Sequence, residues 1–285
     1  MFIKKIGVLG AGSMGGGIAH LAAMKGFEVV LCDLEQHFLD DALKRMAGLM
    51  DRSIEKQKMT VADKEETLKR ITTTTSMNDF ASVDFVIEAV IEDPAVKKSV
   101  FEKLDRICRP EIILTTNTSS ISITDIASVT SRPDKVAGMH FFNPPQVMRL
   151  VEVVRGYYTG DGVTQAVMEL ARELGKTPIE VKKDYPGFVV NRLMLAQYVE
   201  AMKLLEEGVA TVEDIDKGVK LGLNHPMGVF ELQDFGGLDI GYYVLDYLCE
   251  ESRDDRWNPP NNLKLLVRAG RLGRKTGAGW YNYDK

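Results

Sequence analysis

The stretch Lys5-Ile6-Gly7-Val8-Leu9-Gly10-Ala11-Gly12-Ser13-Met14-Gly15-Gly16-Gly17-Ile18-Ala19 changes its period in the middle. From Ile6 to Leu9 it is an apolar run of the kind that forms a buried strand. From Ile18 to Ala23 the apolar residues recur at helical spacing. Between them Gly10, Gly12 and Gly15 stand at GxGxxG spacing. The reading is strand, Gly-rich turn, helix. Gly10 permits the tight turn, Gly12 lets a pyrophosphate come up to the backbone, and Gly15 lets helix and strand pack closely. The helix start offers free N–H groups and a partial positive charge to an anion, and Ser13 and Met14 are candidate cofactor-binding residues with the glycines.

The second half of this fingerprint is Val29-Val30-Leu31-Cys32-Asp33, another apolar run ending in an acid. Asp33 lies about twenty residues past the turn, where a carboxylate accepts from the adenosine ribose hydroxyls and repels a 2′-phosphate. The expected cofactor is therefore NAD rather than NADP. Further strands are read at Val83–Glu88, Ile112–Thr116, Lys135–His140, Leu150–Val154 and Pro178–Lys182, with helices between most of them. This alternation predicts an α/β, doubly wound, Rossmann-type sheet with mostly parallel strands. In such sheets ligands bind outside the carboxyl ends of the strands. Gly10, Asp33, Glu92, Asn117, Ser119 and His140 all fall just past predicted strand ends.

The chain is expected to divide near Asp184-Tyr185-Pro186-Gly187, where the pattern changes to helix alone. Residues 1–184 form the nucleotide-binding domain, with a charged helical hairpin at 35–70 standing away from the sheet. Residues 185–285 form an all-helical domain for substrate and dimerisation. Its helices are read at Phe188–Glu206, from Thr211 to Leu221, Leu238–Glu251 and Asn261–Ala269. In the hairpin, Thr60 is placed to cap the second helix. Lys44, Arg45, Arg52, Lys56 and Lys58 fit either a solvated helix face or a basic arm for a phosphate-bearing substrate handle. Met227, Phe230, Leu232, Phe235, Tyr242 and Tyr243 lie close together, enough apolar surface for part of it to be buried in a homodimer.

With 285 residues, 27% of them charged, and a net charge of -5, the chain carries no electrostatic footprint for nucleic acid or an anionic membrane. Cys32, Cys108 and Cys249 lack metal-ligand spacing and read as reduced thiols, so no metal is expected. No secretory leader precedes the first strand, and a cytoplasmic location is expected.

Of the four histidines, His20 falls in the first helix, His37 in the charged hairpin and His225 in a loop. His140 ends a strand on the cofactor side. A general base for hydride chemistry needs a pKa near working pH, which histidine supplies, and a partner that fixes its tautomer. Glu152 sits mid-strand between Val151 and Val153, where a carboxylate must be paired or neutralised. On neighbouring strands the two side chains satisfy each other.

Several motifs occur in order: Gly10-x-Gly12-x-Met14-Gly15, Asn117-Thr118-Ser119-Ser120, His140-Phe141-Phe142-Asn143-Pro144, Leu150-Val151-Glu152-Val153, Pro186-Gly187-Phe188-Val189-Val190-Asn191-Arg192, Asn224-His225-Pro226-Met227-Gly228 and Gly273-Arg274-Lys275-Thr276-Gly277. Across essentially the whole chain they resemble the 3-hydroxyacyl-CoA dehydrogenase family, and the compact length resembles its short bacterial members. The resemblance implies NAD-dependent interconversion of (S)-3-hydroxybutyryl-CoA and acetoacetyl-CoA, in fatty-acid or butyrate metabolism. It makes His140 the catalytic base, Glu152 its acidic partner, and Ser119 and Asn191 the groups on the substrate oxygen. Glu92, Lys97 and Asn143 line the nicotinamide half, and Lys56 falls near a lysine for the CoA phosphates. It also implies a homodimer. The sequence departs from the family pattern at Asp93-Pro94, where Pro94 still suits the first turn of a helix. Two other readings share the fingerprint: a dehydrogenase of a free 3-hydroxy acid or sugar acid, and a non-catalytic NAD-binding protein.

Overall fold

The computed structural model describes residues 3–283. The chain divides into two compact units, one ending at Phe188 and the other beginning at Val189. In chain order the first runs β1 (Lys5–Leu9), α1 (Ser13–Met24), β2 (Glu28–Cys32), α2 (Gln36–Glu55), α3 (Val61–Lys69), β3 (Ile71–Thr74), β4 (Phe85–Glu88), α4 (Pro94–Ile107), β5 (Ile113–Thr116), α5 (Ile123–Ala127), β6 (Val136–Phe141), β7 (Leu150–Arg155), α6 (Asp161–Glu173) and β8 (Thr177–Val181).

Among the described residues these strands form one eight-stranded sheet in the order β3-β2-β1-β4-β5-β6-β7-β8. Every neighbouring pair is parallel except β6–β7, which is antiparallel. The chain winds outward from β1 to β3, then crosses back and winds the other way from β4. That reversal opens a crevice at the carboxyl ends of β1 and β4, where such sheets take their ligands.

Both faces of the sheet are covered, which is why the strands read as continuous apolar runs. Alternate residues go to opposite layers. Val29 and Leu31 pack with Ile18 and Ala22 of α1, while Val30 and Cys32 pack with Phe80, Phe101 and Leu104. α4 starts as Asp93-Pro94 allows: the Asp93 carboxylate accepts from the Val96 amide at 2.9 Å, and proline occupies the first turn.

Three local features differ from the sequence reading. The charged hairpin does not stand away from the sheet. Leu39, Ala42, Met46 and Met50, at helical spacing on one face of α2, are buried in the same core as α1; Lys44 and Arg52 are exposed, and Arg45 donates to the Ala11 carbonyl oxygen of the Gly-rich turn at 2.8 Å. β3, unrecognised in a run of one isoleucine and three threonines, is fixed by its ladder to β2. In the second unit, α9 (Val229–Gly236) was not separated from its surroundings. It lies between α8 (Val212–Gly222) and α10 (Leu238–Ser252), with α7 (Val190–Glu206) before them and α11 (Asn261–Arg268) after. Leu195, Met202, Phe230, Leu245 and Trp257 share its core. The final segment, closed by two isolated bridges, is tied back to two buried carboxylates. Asp216 accepts from the Tyr281 hydroxyl at 2.8 Å, and Asp234 from the Tyr283 hydroxyl at 2.9 Å.

His20 is the exception in the first core. It is 3% exposed on α1, and neither ring nitrogen has a hydrogen-bond partner among the described residues. Burial pushes its imidazole down to about 4. The unfolded chain therefore takes up this proton first as pH falls from the ordinary histidine range, and the folded state is penalised progressively down to the depressed value. His20→Leu is expected to remove that penalty. In urea unfolding, the stability gain over wild type should grow between pH 7 and pH 4 by on the order of 3 kcal/mol. A gain that does not change with pH would contradict a buried neutral imidazole.

Candidate active site

The Gly-rich turn leaves β1 at Gly10, whose φ of +101° belongs to glycine, and a Cβ there would lie 2.4 Å from the Ala89 carbonyl oxygen. A Cβ on Gly15 would lie 1.9 Å from the Gly10 carbonyl oxygen. The protein's own packing thus requires both. Gly12 is different: it is exposed, and a Cβ there would meet nothing within 4 Å. Its bareness serves the surface outside the turn, at the start of α1, where Ser13 is exposed and Met14 half-buried. Asp33 stands beside this cradle at the end of β2. Its Oδ2 accepts from the Ala11 amide at 2.6 Å and its Oδ1 from the Leu34 amide at 2.7 Å. An open anion cradle next to a carboxylate held by the same loop fits the pyrophosphate and ribose of a dinucleotide.

Past β4 and β5 lies a second cluster. Glu92 Oε1 accepts from the Thr118 hydroxyl at 2.6 Å, from the Ser119 amide at 2.7 Å and from the Ser119 hydroxyl at 3.2 Å. Burial alone would raise this carboxyl. The Lys97 ammonium and the Thr118 and Ser119 hydrogen bonds outweigh burial and hold it below the ordinary carboxylate range. Asn117 fastens the end of β5 to that of β6, its Oδ1 accepting from the Phe141 amide at 2.8 Å.

The third element is His140. It faces Glu152 across the antiparallel β6–β7 ladder, Nδ1 to Oε2 at 2.7 Å. The histidine is 5% exposed and the glutamate 0%. A carboxylate only accepts, so Nδ1 carries the proton, and in the neutral ring Nε2 keeps a lone pair. Phe142 and Phe188 pack on the imidazole with ring centroids 4.7 and 5.6 Å away.

The structure thus gathers Gly10, Gly12, Asp33, Glu92, Asn117, Ser119 and His140 at the carboxyl ends of neighbouring strands, with Glu152 meeting His140 from inside the antiparallel β7. Asn143 is exposed two residues beyond β6. Lys97 is 1% exposed, its ammonium 2.7 Å from Glu88 Oε1. Lys56 is exposed at the far end of α2, a helix of about 30 Å. Asn191 lies in the first turn of α7, in the second unit. Sequence reading missed Glu88 and the aromatic wall of Phe142 and Phe188. Glu88 carried a usable signal, an acid closing an apolar strand. Among the described residues no cluster of three or more metal-ligating side chains is present, and no helix is long and apolar enough to cross a membrane.

Residues 5–185 match the family model described as 3-hydroxyacyl-CoA dehydrogenase, NAD binding domain, and residues 187–283 match that of the C-terminal domain. A probable 3-hydroxybutyryl-CoA dehydrogenase of Deinococcus radiodurans is 47% identical over 98% of this chain and 100% of that protein. A 3-hydroxybutyryl-CoA dehydrogenase of Bradyrhizobium diazoefficiens is 43% identical over 99% of this chain and 96% of that protein. Among solved structures, an (S)-3-hydroxybutyryl-CoA dehydrogenase of Ralstonia eutropha superposes with a TM-score of 0.97 at 45% identity, covering 100% of both chains.

The difference between Gly12 and Gly15 is testable. Gly12→Ala should keep the thermal midpoint of the wild type and weaken NADH binding by about tenfold or more, read by fluorescence titration. Gly15→Ala should lower both, because its Cβ collides with backbone. Unchanged NADH affinity in Gly12→Ala would show that the pyrophosphate does not use this turn.

Proposed function

The chain belongs to the 3-hydroxyacyl-CoA dehydrogenase family, and from that membership we propose that it interconverts (S)-3-hydroxybutyryl-CoA and acetoacetyl-CoA with NAD. The observation that carries this reading is the buried His140–Glu152 pair at the rim of an NAD-binding sheet. When bound, NAD supplies the acceptor or donor for the hydride. Gly10, Gly12, Ser13, Met14 and Gly15 would hold its pyrophosphate, Asp33 its ribose, and Glu92, Asn117, Asn143 and Ser119 the nicotinamide half.

The chain's own part is to hold the substrate oxygen and move one proton. His140 Nε2 takes the proton from the 3-hydroxyl as the hydrogen on carbon 3 departs, and returns it in the opposite direction. The positive charge that forms on the imidazole lies against Glu152, which orients the ring and balances it. Phe142 and Phe188 keep water from the ring and so strengthen that attraction. The Ser119 hydroxyl, held by Glu92 at a long 3.2 Å, is able to turn toward the substrate oxygen, and Asn191 adds a second donor. Lys56 is the proposed contact for the CoA phosphates. In the second unit, Phe235, Ile240 and Tyr243 are exposed, and a homodimer through these helices would cover them.

The deciding assay follows NADH oxidation with acetoacetyl-CoA and, in parallel, with free acetoacetate. Turnover confined to the thioester is expected. Turnover on the free acid would move the substrate to a 3-hydroxy acid, and NADH binding without any turnover would leave a binding protein. His140→Gln should slow turnover by on the order of 10²–10⁴ while NADH affinity is nearly kept. A near-normal rate would remove His140 from the mechanism. Asp33→Ala should narrow the preference for NADH over NADPH, read as the ratio of kcat/KM values. An unchanged ratio would mean that another residue reads the ribose.

A further inference from the structure

Glu88 ends β4 with no exposed surface, and its carboxylate is met by three donors. Oε1 accepts from the Val90 amide and the Lys97 ammonium, each at 2.7 Å, and Oε2 accepts from the Thr116 hydroxyl at 2.6 Å. A buried ion pair is a weak source of stability, because the desolvation of both charges offsets their attraction. The geometry around this pair points to another task.

Two routes lead from Glu88 to Ser119. The first is ionic. Lys97, held by Glu88, also faces Glu92 Oε2 at 3.5 Å, and Glu92 Oε1 gathers the Thr118 hydroxyl, the Ser119 amide and, at 3.2 Å, the Ser120 amide. The second runs through a hydroxyl. Because Thr116 donates its proton to Glu88, its oxygen is left to accept, and it accepts from the Thr118 amide at 3.2 Å. The Thr118 hydroxyl in turn accepts from the Ile121 amide at 3.0 Å. The backbone carbonyl of Glu88 adds a third tie, accepting from the Asn117 amide at 2.7 Å. Two carboxylates share one ammonium here; Glu88 is completed by the Val90 amide and the Thr116 hydroxyl, and Glu92 by amides and hydroxyls of the segment that carries Ser119.

We infer that Glu88 is a positioning residue for Ser119: a carboxylate at the end of β4 that sets the 117–121 turn through Lys97–Glu92 and through Thr116. This rests on the reading of Ser119 as a group that holds the substrate oxygen. It also gives Lys97 a part that its burial allows, as the cation between two carboxylates.

Glu88→Gln tests it sharply. Glutamine presents one acceptor and one donor where three donors converge, so at least one of Val90, Lys97 and Thr116 loses its partner or meets a donor. In native-state hydrogen exchange, the Thr118, Ser119 and Ser120 amides of this variant should exchange about tenfold faster or more, while the β6–β7 ladder stays as in wild type. With acetoacetyl-CoA and NADH, kcat should fall by about tenfold or more and KM should change less than threefold. In a Ser119→Ala background the same substitution should cost less than about threefold in kcat, because its effect passes through Ser119.

Unchanged exchange at 118–120 overturns the proposal, as does an unchanged kcat or a loss fully additive to that of Ser119→Ala. If Glu88→Gln does not fold, Glu88→Asp retains the charge and withdraws it by one methylene, and should shift the same amides in the same direction. Wild-type protein without turnover on acetoacetyl-CoA would refute the assigned activity, and the exchange result would still decide whether Glu88 sets the turn.

Discussion

A carboxylate taken out of water must be met by donors, and the carboxyl edge of this sheet is arranged around that requirement. Glu88 and Glu152 are both fully buried. Ile87 and Ala89 flank Glu88, and Val151 and Val153 flank Glu152, so neither has water as an alternative partner. Glu152 is met by an imidazole, Glu88 by an ammonium, a hydroxyl and an amide. Asp33 and Glu92, nearer to solvent, are likewise held by backbone amides of the adjoining turns. The chemistry-bearing side chains are therefore fixed by the same bonds that make their burial tolerable.

Strand direction decides which partner each carboxylate can have. In an antiparallel pair, directly opposed residues project from the same face and stand close together. Among the described strands β6–β7 is the one antiparallel pairing, and His140 and Glu152 are opposed in its register. A parallel neighbour would have brought the carboxyl end of both strands to the rim, and the glutamate would have needed to lie at its strand's end to meet the histidine. With β7 running back, Glu152 reaches His140 from inside its strand, with Val151 and Val153 directed into the opposite layer. The reversal thus places a charged partner beneath the base while keeping that partner away from solvent.

Much of this was legible in the sequence because the signals are local. The glycine spacing, the acid closing β2 and the apolar strand runs each lie within a few residues and obey fixed periods. The His140–Glu152 contact was legible for a related reason: both residues violate the pattern of their strands, and two neighbouring strands offer each other few partners. The hairpin was misread because charge was counted and the apolar face of α2, at Leu39, Ala42, Met46 and Met50, was not. β3 was invisible because a run of threonines has no buried pattern of its own, and only the ladder to β2 makes it a strand.

Glu88 marks where such reading stops. The rule that exposed Glu152 applies equally to an acid closing the run Phe85-Val86-Ile87, yet its partners are scattered. One comes from the next turn, one from a helix nine residues on and one from the strand beside it, 28 residues on. Lys97 is no clearer a signal, since a lysine on a helix normally faces water. Nothing in the spacing of these residues distinguishes a solvated charge from a buried one. The distinction comes from α4, whose N-terminal turn, started by Asp93 and Pro94, lies next to the end of β4 and carries Lys97 inward one turn later. An acid closing an apolar strand needs a partner, and only the packing of a helix against that strand supplies it here.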